Sequence, residues 1–255
     1  MRGTYRNSEG PIELKGRVAL VTGAAHRVGR DIALGLAREG MHLVIHYHTS
    51  AEAAQRTLAD VRALGVAAIA LQADHSRAPD VQALFAQVAA HFGRLDVLVN
   101  SAAIMERKPL LDITEADWDR VLGINLKGPF LCAQAAARLM LAQPEGGAIV
   151  NIADLSGLRP WPSYAHHSVS KAGLIMLTRV LALALAPTVR VNAVAPGPVA
   201  KPIGWSDKRW QALGARLPLR RTGSGQDVAE AVVFLLKSDY ITGEVLVVDG
   251  GRSLV

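Results

Sequence analysis

Cysteine occurs once in the 255 residues, at Cys132. A lone thiol excludes an internal disulfide framework and any cysteine-rich zinc site, and it points to a reducing, cytoplasmic setting. Aromatic residues are also scarce, at 5%. Half of all residues are hydrophobic, so the core must be filled by Ala, Val and Leu, as in packed helices and parallel strands. Long apolar runs are missing too. The greasiest stretch, Leu174 to Ala186, is broken by Thr178 and Arg179 and stopped by Pro187, so no membrane span is expected. Met1 to Lys15 holds no apolar run of signal-peptide length. The net charge of +6 comes from scattered basic residues. Their densest cluster, Arg216 to Arg221, has no interleaved aromatics, and no nucleic-acid partner is expected.

What the chain does have is alternation. Seven short apolar runs read as strands: Val18 to Val21, Leu43 to Ile45, Ala67 to Leu71, Val97 to Val99, Ile149 to Ile152, Val189 to Val194 and Val245 to Val248. Between them lie segments of helical periodicity. Val81, Leu84, Phe85, Val88, Ala89 and Phe92 share one face, after Pro79 and before Gly93 as start and stop signals. Val28, Ile32 and Leu36 do the same before Gly40. The pattern predicts an α/β fold: one Rossmann-type domain over residues 15–255, with a doubly wound parallel sheet of about seven strands and helices on both faces. Residues 1–14 read as a flexible tail. Two later helices, near Leu126 to Leu141 and Ala165 to Ala186, are apolar around most of their circumference. Each needs a partner on more than one side, and a second copy of the chain would serve.

The first strand runs into Thr22-Gly23-Ala24-Ala25-His26-Arg27-Val28-Gly29 and then the first helix. Gly23 permits a tight turn, small Ala24 and Ala25 let a pyrophosphate approach, and Gly29 brings the helix N-terminus close, with Val28 beside it. This departs from the literal G-x-G-x-x-G pattern, and its place between strand and helix carries the reading. A site that prefers NAD offers an Asp or Glu at the end of the second strand. Here stand His46, Tyr47, His48, Thr49 and Ser50, with no acid before Glu52. Donors without a carboxylate, with Arg27 expected nearby, suit a 2′-phosphate and hence NADP(H). His46 and His48 lack a third ligand, so no metal is expected.

The landmarks fall in a known order: Thr22-Gly23 through Gly29, Asp74, Asn100-Ser101-Ala102, Asn125, Asn151, Lys171, Pro196-Gly197 and Asp249-Gly250-Gly251. The chain resembles a classical short-chain dehydrogenase/reductase over roughly residues 14–254, and within that family the pteridine reductases. Arg27, the His46 to Ser50 segment and Asp154 carry the narrower likeness. The resemblance implies that Asp74 holds the adenine and that Asn100, Ser101 and Ala102 line the cofactor cleft. It implies that Lys171 binds the nicotinamide ribose, that Asn125 holds a water in a proton relay, and that Pro196 and Gly197 flank the nicotinamide. It also implies a homotetramer.

The family pair is Tyr-x-x-x-Lys, one helical turn apart. Four residues before Lys171 stands His167, and Asp154 stands where the family has a catalytic serine. Imidazole can exchange protons near neutral pH, but Lys171 and Asp154 push its charge in opposite directions. Tyr164 shares the face of His167 and reads as a pocket wall or as a replacement acid. Met105 stands where pteridine reductases stack an aromatic on the pterin, which gives a softer contact. The Val199 to Leu219 segment is expected to close the pocket as a lid, with Trp205 and Trp210 either lining it or packing on the surface. The resulting expectation is an NADPH-dependent reductase of a carbonyl or imine in a small polar or heterocyclic substrate, with Asp154, His167, Lys171 and Asn125 at the reacting centre. The competing reading is an NADP(H)-binding protein without turnover, acting as a sensor or scaffold.

Overall fold

A computed structural model describes residues 13–255. The tail expected over residues 1–14 lies, for residues 1–12, outside the described residues, and the chain is already in the core at Leu14.

Seven parallel strands form one sheet: β1 (Val18–Val21), β2 (His42–Tyr47), β3 (Ala68–Gln72), β4 (Val97–Asn100), β5 (Gly147–Ile152), β6 (Val189–Pro196) and β7 (Val245–Val248). Their order is β3-β2-β1-β4-β5-β6-β7. The order reverses direction at β1, and the crevice beyond the strand ends there is where such sheets bind ligands. Among the described residues eight α-helices connect them: α1 (Arg27–Arg38), α2 (Ala51–Ala63), α3 (Ala78–Phe92), α4 (Glu115–Leu122), α5 (Gly128–Leu141), α6 (Ala165–Leu185), α7 (Asp207–Gly214) and α8 (Gly225–Lys237). The single α/β domain read from the sequence is the one observed.

Alternation along the strands builds two cores. Ala19 and Val21 of β1 face α1, α2 and α8, while Val18 and Leu20 face α3, α5 and α6. Both faces are covered, so the central strands are buried along their whole length. The punctuation works as read: Pro79 lies in the first turn of α3, and Gly93 ends that helix at φ +68°.

The apolar stretch at Leu174 lies within the helix expected over Ala165 to Ala186, which forms over Ala165–Leu185. Together with the turn before it, Pro162–Leu185 is the one segment among the described residues long and apolar enough to cross a membrane by length and composition. Its inner face packs on β6 and buries His166, His167, Ser170, Lys171 and Thr178, as a core helix does.

Candidate active site

The crevice at the ends of β1 and β4 is shaped by close backbone approach. A Cβ on Gly23 would fall 2.8 Å from the Ala102 Cα, and one on Gly29 would fall 2.4 Å from the Gly23 carbonyl oxygen. Neither position admits a side chain. Thr22 Oγ1 accepts from the N–H groups of Ser101 (2.9 Å) and Ala102 (3.1 Å), locking the two walls together. His26 is the N-cap of α1 and makes no side-chain cap, which leaves the first-turn N–H groups for an anion. These features fit the pyrophosphate of a dinucleotide. Gly197 does similar work across the crevice, where a Cβ would fall 2.7 Å from that of Asp249 and Pro196 ends β6 beside Val248.

Several predicted cofactor residues point elsewhere than the sequence suggests. His46 is turned into the core. Its Nδ1 accepts from the Gly23 N–H (3.2 Å) and its Nε2 lies 3.1 Å from the Ala73 carbonyl oxygen. Burial, with His75 beside it, lowers its pKa to about 3, so the ring is neutral and braces the glycine turn. Exposed His48 and Thr49, with half-buried Tyr47 and Ser50, remain at the end of β2, and no carboxylate lies among them. Arg27 has a left-handed φ of +54°. Its guanidinium donates across the crevice mouth to the carbonyls of Lys201 (3.3 Å) and Ala200 (3.5 Å), rather than lying against the end of β2. Asp74 accepts from the Ser76 N–H and hydroxyl. Burial raises its pKa, but those two bonds outweigh it and hold the carboxyl below its ordinary range. The Asn100 side chain turns inward to Asn151 (2.9 Å), so this residue can line the cleft only through its backbone.

The structure brings the residues expected at the reacting centre near one another, with internal wiring the sequence did not suggest. His167 and Lys171 lie one turn apart on α6, both buried. The Lys171 ammonium donates to the Ile152 carbonyl (2.7 Å). Burial pulls its pKa down to about 8 against the pull of Asp154. Asp154 follows β5, accepts from the Ser156 N–H (2.7 Å) and lies close enough to bias both His167 and Lys171. Asn125 sits in a single π-helical turn, Gly123–Lys127, and is fully buried. Its Oδ1 accepts from the Ile104 N–H, and its Nδ2 donates to the Ile104 carbonyl and to Ser170 Oγ. Through these bonds it clamps the loop after β4. Ser170 and Ile104 were not singled out from the sequence; the only trace of Ser170 is its i+3 relation to His167.

The outer residues are less tightly gathered. Met105 is half exposed on the loop after β4, which Glu106–Arg120 and Lys108–Asp117 ion pairs fasten to α4. Tyr164 is the N-cap of α6 and meets Trp161 edge-on. Trp205 lies under the Arg209 guanidinium, 3.7 Å from its carbon, just before α7. A hollow of about 340 Å³ between Val199, Leu219, Arg221 and Asp249 is lined by none of Asp154, His167 or Lys171. Among the described residues no cluster of His, Cys, Asp and Glu is arranged to hold a metal.

Known proteins share this architecture. Residues 23–253 match the family described as enoyl-(acyl carrier protein) reductase. A 3-oxoacyl-[acyl-carrier-protein] reductase of Staphylococcus aureus is 41% identical over 238 residues, 91% of this chain and 96% of that protein. A 3beta-hydroxysteroid dehydrogenase of Eggerthella lenta is 37% identical over 249 residues, 95% of each. The crystal structure of acetoin dehydrogenase from Enterobacter cloacae superposes with a TM-score of 0.86 at 38% identity, covering 93% of this chain and 96% of that one. Sheet order, crevice glycines and these likenesses together establish that the chain belongs to the classical short-chain dehydrogenase/reductase family of oxidoreductases.

Proposed function

We propose that the protein is an NADP(H)-dependent oxidoreductase that interconverts a carbonyl or imine of a small polar or heterocyclic molecule with its alcohol or amine, with His167 in the place of the family tyrosine. The carrying observation is the pairing of buried His167 and Lys171 with half-buried Asp154, beside a crevice whose glycines tolerate no side chain. The first turn of α1, Gly23, Gly29, and the backbone at Asn100 to Ala102 would hold the dinucleotide, with Pro196 and Gly197 beside the nicotinamide and Lys171 at its ribose. When bound, that group would supply the hydride. Exposed His48 and Thr49, at a strand end without a carboxylate, support the phosphorylated form, toward which Arg27 would have to turn from residues 200 and 201. Half-exposed Met105 offers a pterin no stacking ring, so the likeness to pteridine reductases supports the cofactor half of the reading and not a pterin substrate.

A second copy of the chain would cover the apolar outer faces of α5 and α6, in line with a homotetramer. A cytoplasmic enzyme with no nucleic-acid or membrane partner completes the reading.

The test is a panel of carbonyls, imines, quinones and pterins, followed by loss of NADPH absorbance, with NADH in parallel. Turnover with NADPH preferred supports the proposal, and preference for NADH overturns its cofactor half. One observation favours the second reading, a nucleotide-binding protein without turnover: His167 Nε2 is closed to solvent. Tight NADPH binding without consumption across the panel would establish that reading instead.

A further inference from the structure

The helix that carries Asn125 breaks its regular hydrogen bonding at that residue, and the break leaves one carbonyl short of a donor. In the π-helical turn Gly123–Lys127 the N–H of Gly128 reaches back five residues to the Gly123 carbonyl. The same step of five from Ile124 lands on Pro129, which has no N–H to give. Gly128, four residues on, has already spent its own. The Ile124 carbonyl is thus left without a helical donor.

His75 supplies one. It follows β3, is buried, and places Nε2 3.0 Å from the Ile124 carbonyl oxygen. A carbonyl only accepts, so Nε2 carries the hydrogen. Burial lowers the pKa of the ring, which keeps it neutral at pH 7. The ring reaches that oxygen because Gly128 has no side chain: a Cβ there would fall 2.3 Å from His75 Cδ2 and 2.8 Å from Nε2. It also meets His46 edge-on, with ring centroids 5.7 Å apart. His46 is itself fixed by the Gly23 N–H and the Ala73 carbonyl, so His75 is wedged between a fixed ring and the helix.

The turn presents Asn125. From it the side chain bonds the N–H and carbonyl of Ile104 and the Ser170 hydroxyl, with Nδ2 3.3 Å from His167 Nδ1. Each residue turns an α-helix by about 100°, so closing the bulge would swing Asn125 away from these partners. We propose that His75 is a positioning residue for the reacting centre: its Nε2–H replaces the donor that Pro129 cannot give, and so fixes the π-turn that aims Asn125 at the Ile104 loop and at His167. It acts through Ile124 and Asn125, not on a substrate. The consequence for turnover rests on the function proposed above, whereas the geometric role does not.

The first test needs no turnover. Long-range 1H–15N correlations on the histidine-labelled protein, with His75→Gln to assign the signals, report the tautomer at pH 7. The Nε2–H pattern is expected for His75, and an Nδ1–H pattern overturns the proposal. Solvent exchange of the Asn125 side-chain amide, assigned through Asn125→Asp, is then compared among variants, with the urea midpoint read alongside. His75→Leu removes the donor and should speed that exchange by about tenfold or more. His75→Gln, whose amide nitrogen can stand where Nε2 does, should restore it. Unchanged exchange in the Leu variant overturns the proposal, and so does an equal loss in both variants. Should the Leu variant fail to fold, the Gln variant decides: protected exchange supports the role, and lost protection overturns it.

The second arm uses any substrate that the panel above yields. In His75→Leu, kcat is expected to fall by about tenfold while substrate KM stays within about threefold, and His75→Gln should recover most of kcat. A raised KM with unchanged kcat overturns the positioning role. If tautomer and exchange come out as expected and no protein turns over, the proposed function fails while the role of His75 in the turn stands.

Discussion

The N–H of Gly23 donates to Nδ1 of His46 across 3.2 Å, tying the turn after β1 to the end of β2. Through its other nitrogen the same ring reaches the Ala73 carbonyl after β3, so one imidazole fastens three strand ends. His46→Leu leaves the Gly23 N–H and the Ala73 carbonyl without partners in the core. A loss of about 1–3 kcal/mol in urea unfolding is expected for each such group. Weaker NADPH binding in calorimetry should accompany it, since the turn no longer has one conformation. A variant with wild-type stability and affinity would show that His46 braces nothing.

Acid should loosen the protein in a window that belongs to its histidines. Burial holds His46 at about 3 and His167 at about 4, and lowers His75 as well. An unfolded chain binds these protons near 6.5, so between that pH and the folded values the unfolded state carries more of them and stability falls as pH falls. Each ring contributes a slope on the order of 1 kcal/mol per unit. Depressed carboxyls such as Asp74 and Asp249 cost stability only as pH passes below about 4. The urea midpoint is therefore expected to drop between pH 6.5 and 5, and a level midpoint there would contradict the assignment.

The seven strands, the ends of α3 and the order of landmarks were legible in the sequence, because a two-faced parallel sheet writes its apolar runs and its glycine and proline stops directly into the chain. Side-chain direction was not. His46 lies inside β2, where every residue is covered on one face or the other, so it had no solvent side to present. Arg27 follows the left-handed turn of its own backbone, which sends its guanidinium to residues 200 and 201, distant in sequence. Asn125 was recognisable as a site residue, yet its partner Ile104 is an apolar residue whose backbone, not its side chain, does the binding.

Arg27 separates two effects. A non-glycine residue at φ +54° carries strain of about 1 kcal/mol or more. Arg27→Gly relieves it but frees the unfolded chain by about 0.4–1 kcal/mol, so stability should stay within about 1 kcal/mol of wild type. Arg27→Ala keeps the strain and loses the bonds to residues 200 and 201, and should be the less stable of the two. Both variants are expected to lose about tenfold in NADPH affinity and less in NADH affinity. Equal losses for the two dinucleotides would remove Arg27 from recognition of the 2′-phosphate.

His167→Tyr restores the family pair and tests the resident imidazole directly. A phenol has no ring nitrogen to set beside the Ile104 carbonyl, so that contact is lost. With a native alcohol substrate, turnover is expected to fall at least tenfold at pH 7, because a phenol of pKa about 10 is mostly protonated and is a poor resting base there. The oxidation profile should move toward alkaline pH. A variant faster than wild type at neutral pH would mean that the imidazole is not the working base.

The outer face of α6 tests assembly. Val169, Met176, Val180 and Leu183 recur at spacings of seven, four and three, and each is about half exposed or more, with Leu183 at 84%. Phe130 and Leu141 extend the apolar surface onto α5. In a two-fold interface every substitution occurs twice. Val180→Glu with Leu183→Glu thus removes four apolar side chains worth about 1.5–3 kcal/mol each if fully covered, before any cost of burying four carboxylates. Since each 1.4 kcal/mol is about a tenfold change, even the low end takes a nanomolar contact into the tens of micromolar. Light scattering should show a multimer for the native chain and a smaller species for the double variant, and a native chain that scatters as a monomer would leave that face without its proposed partner.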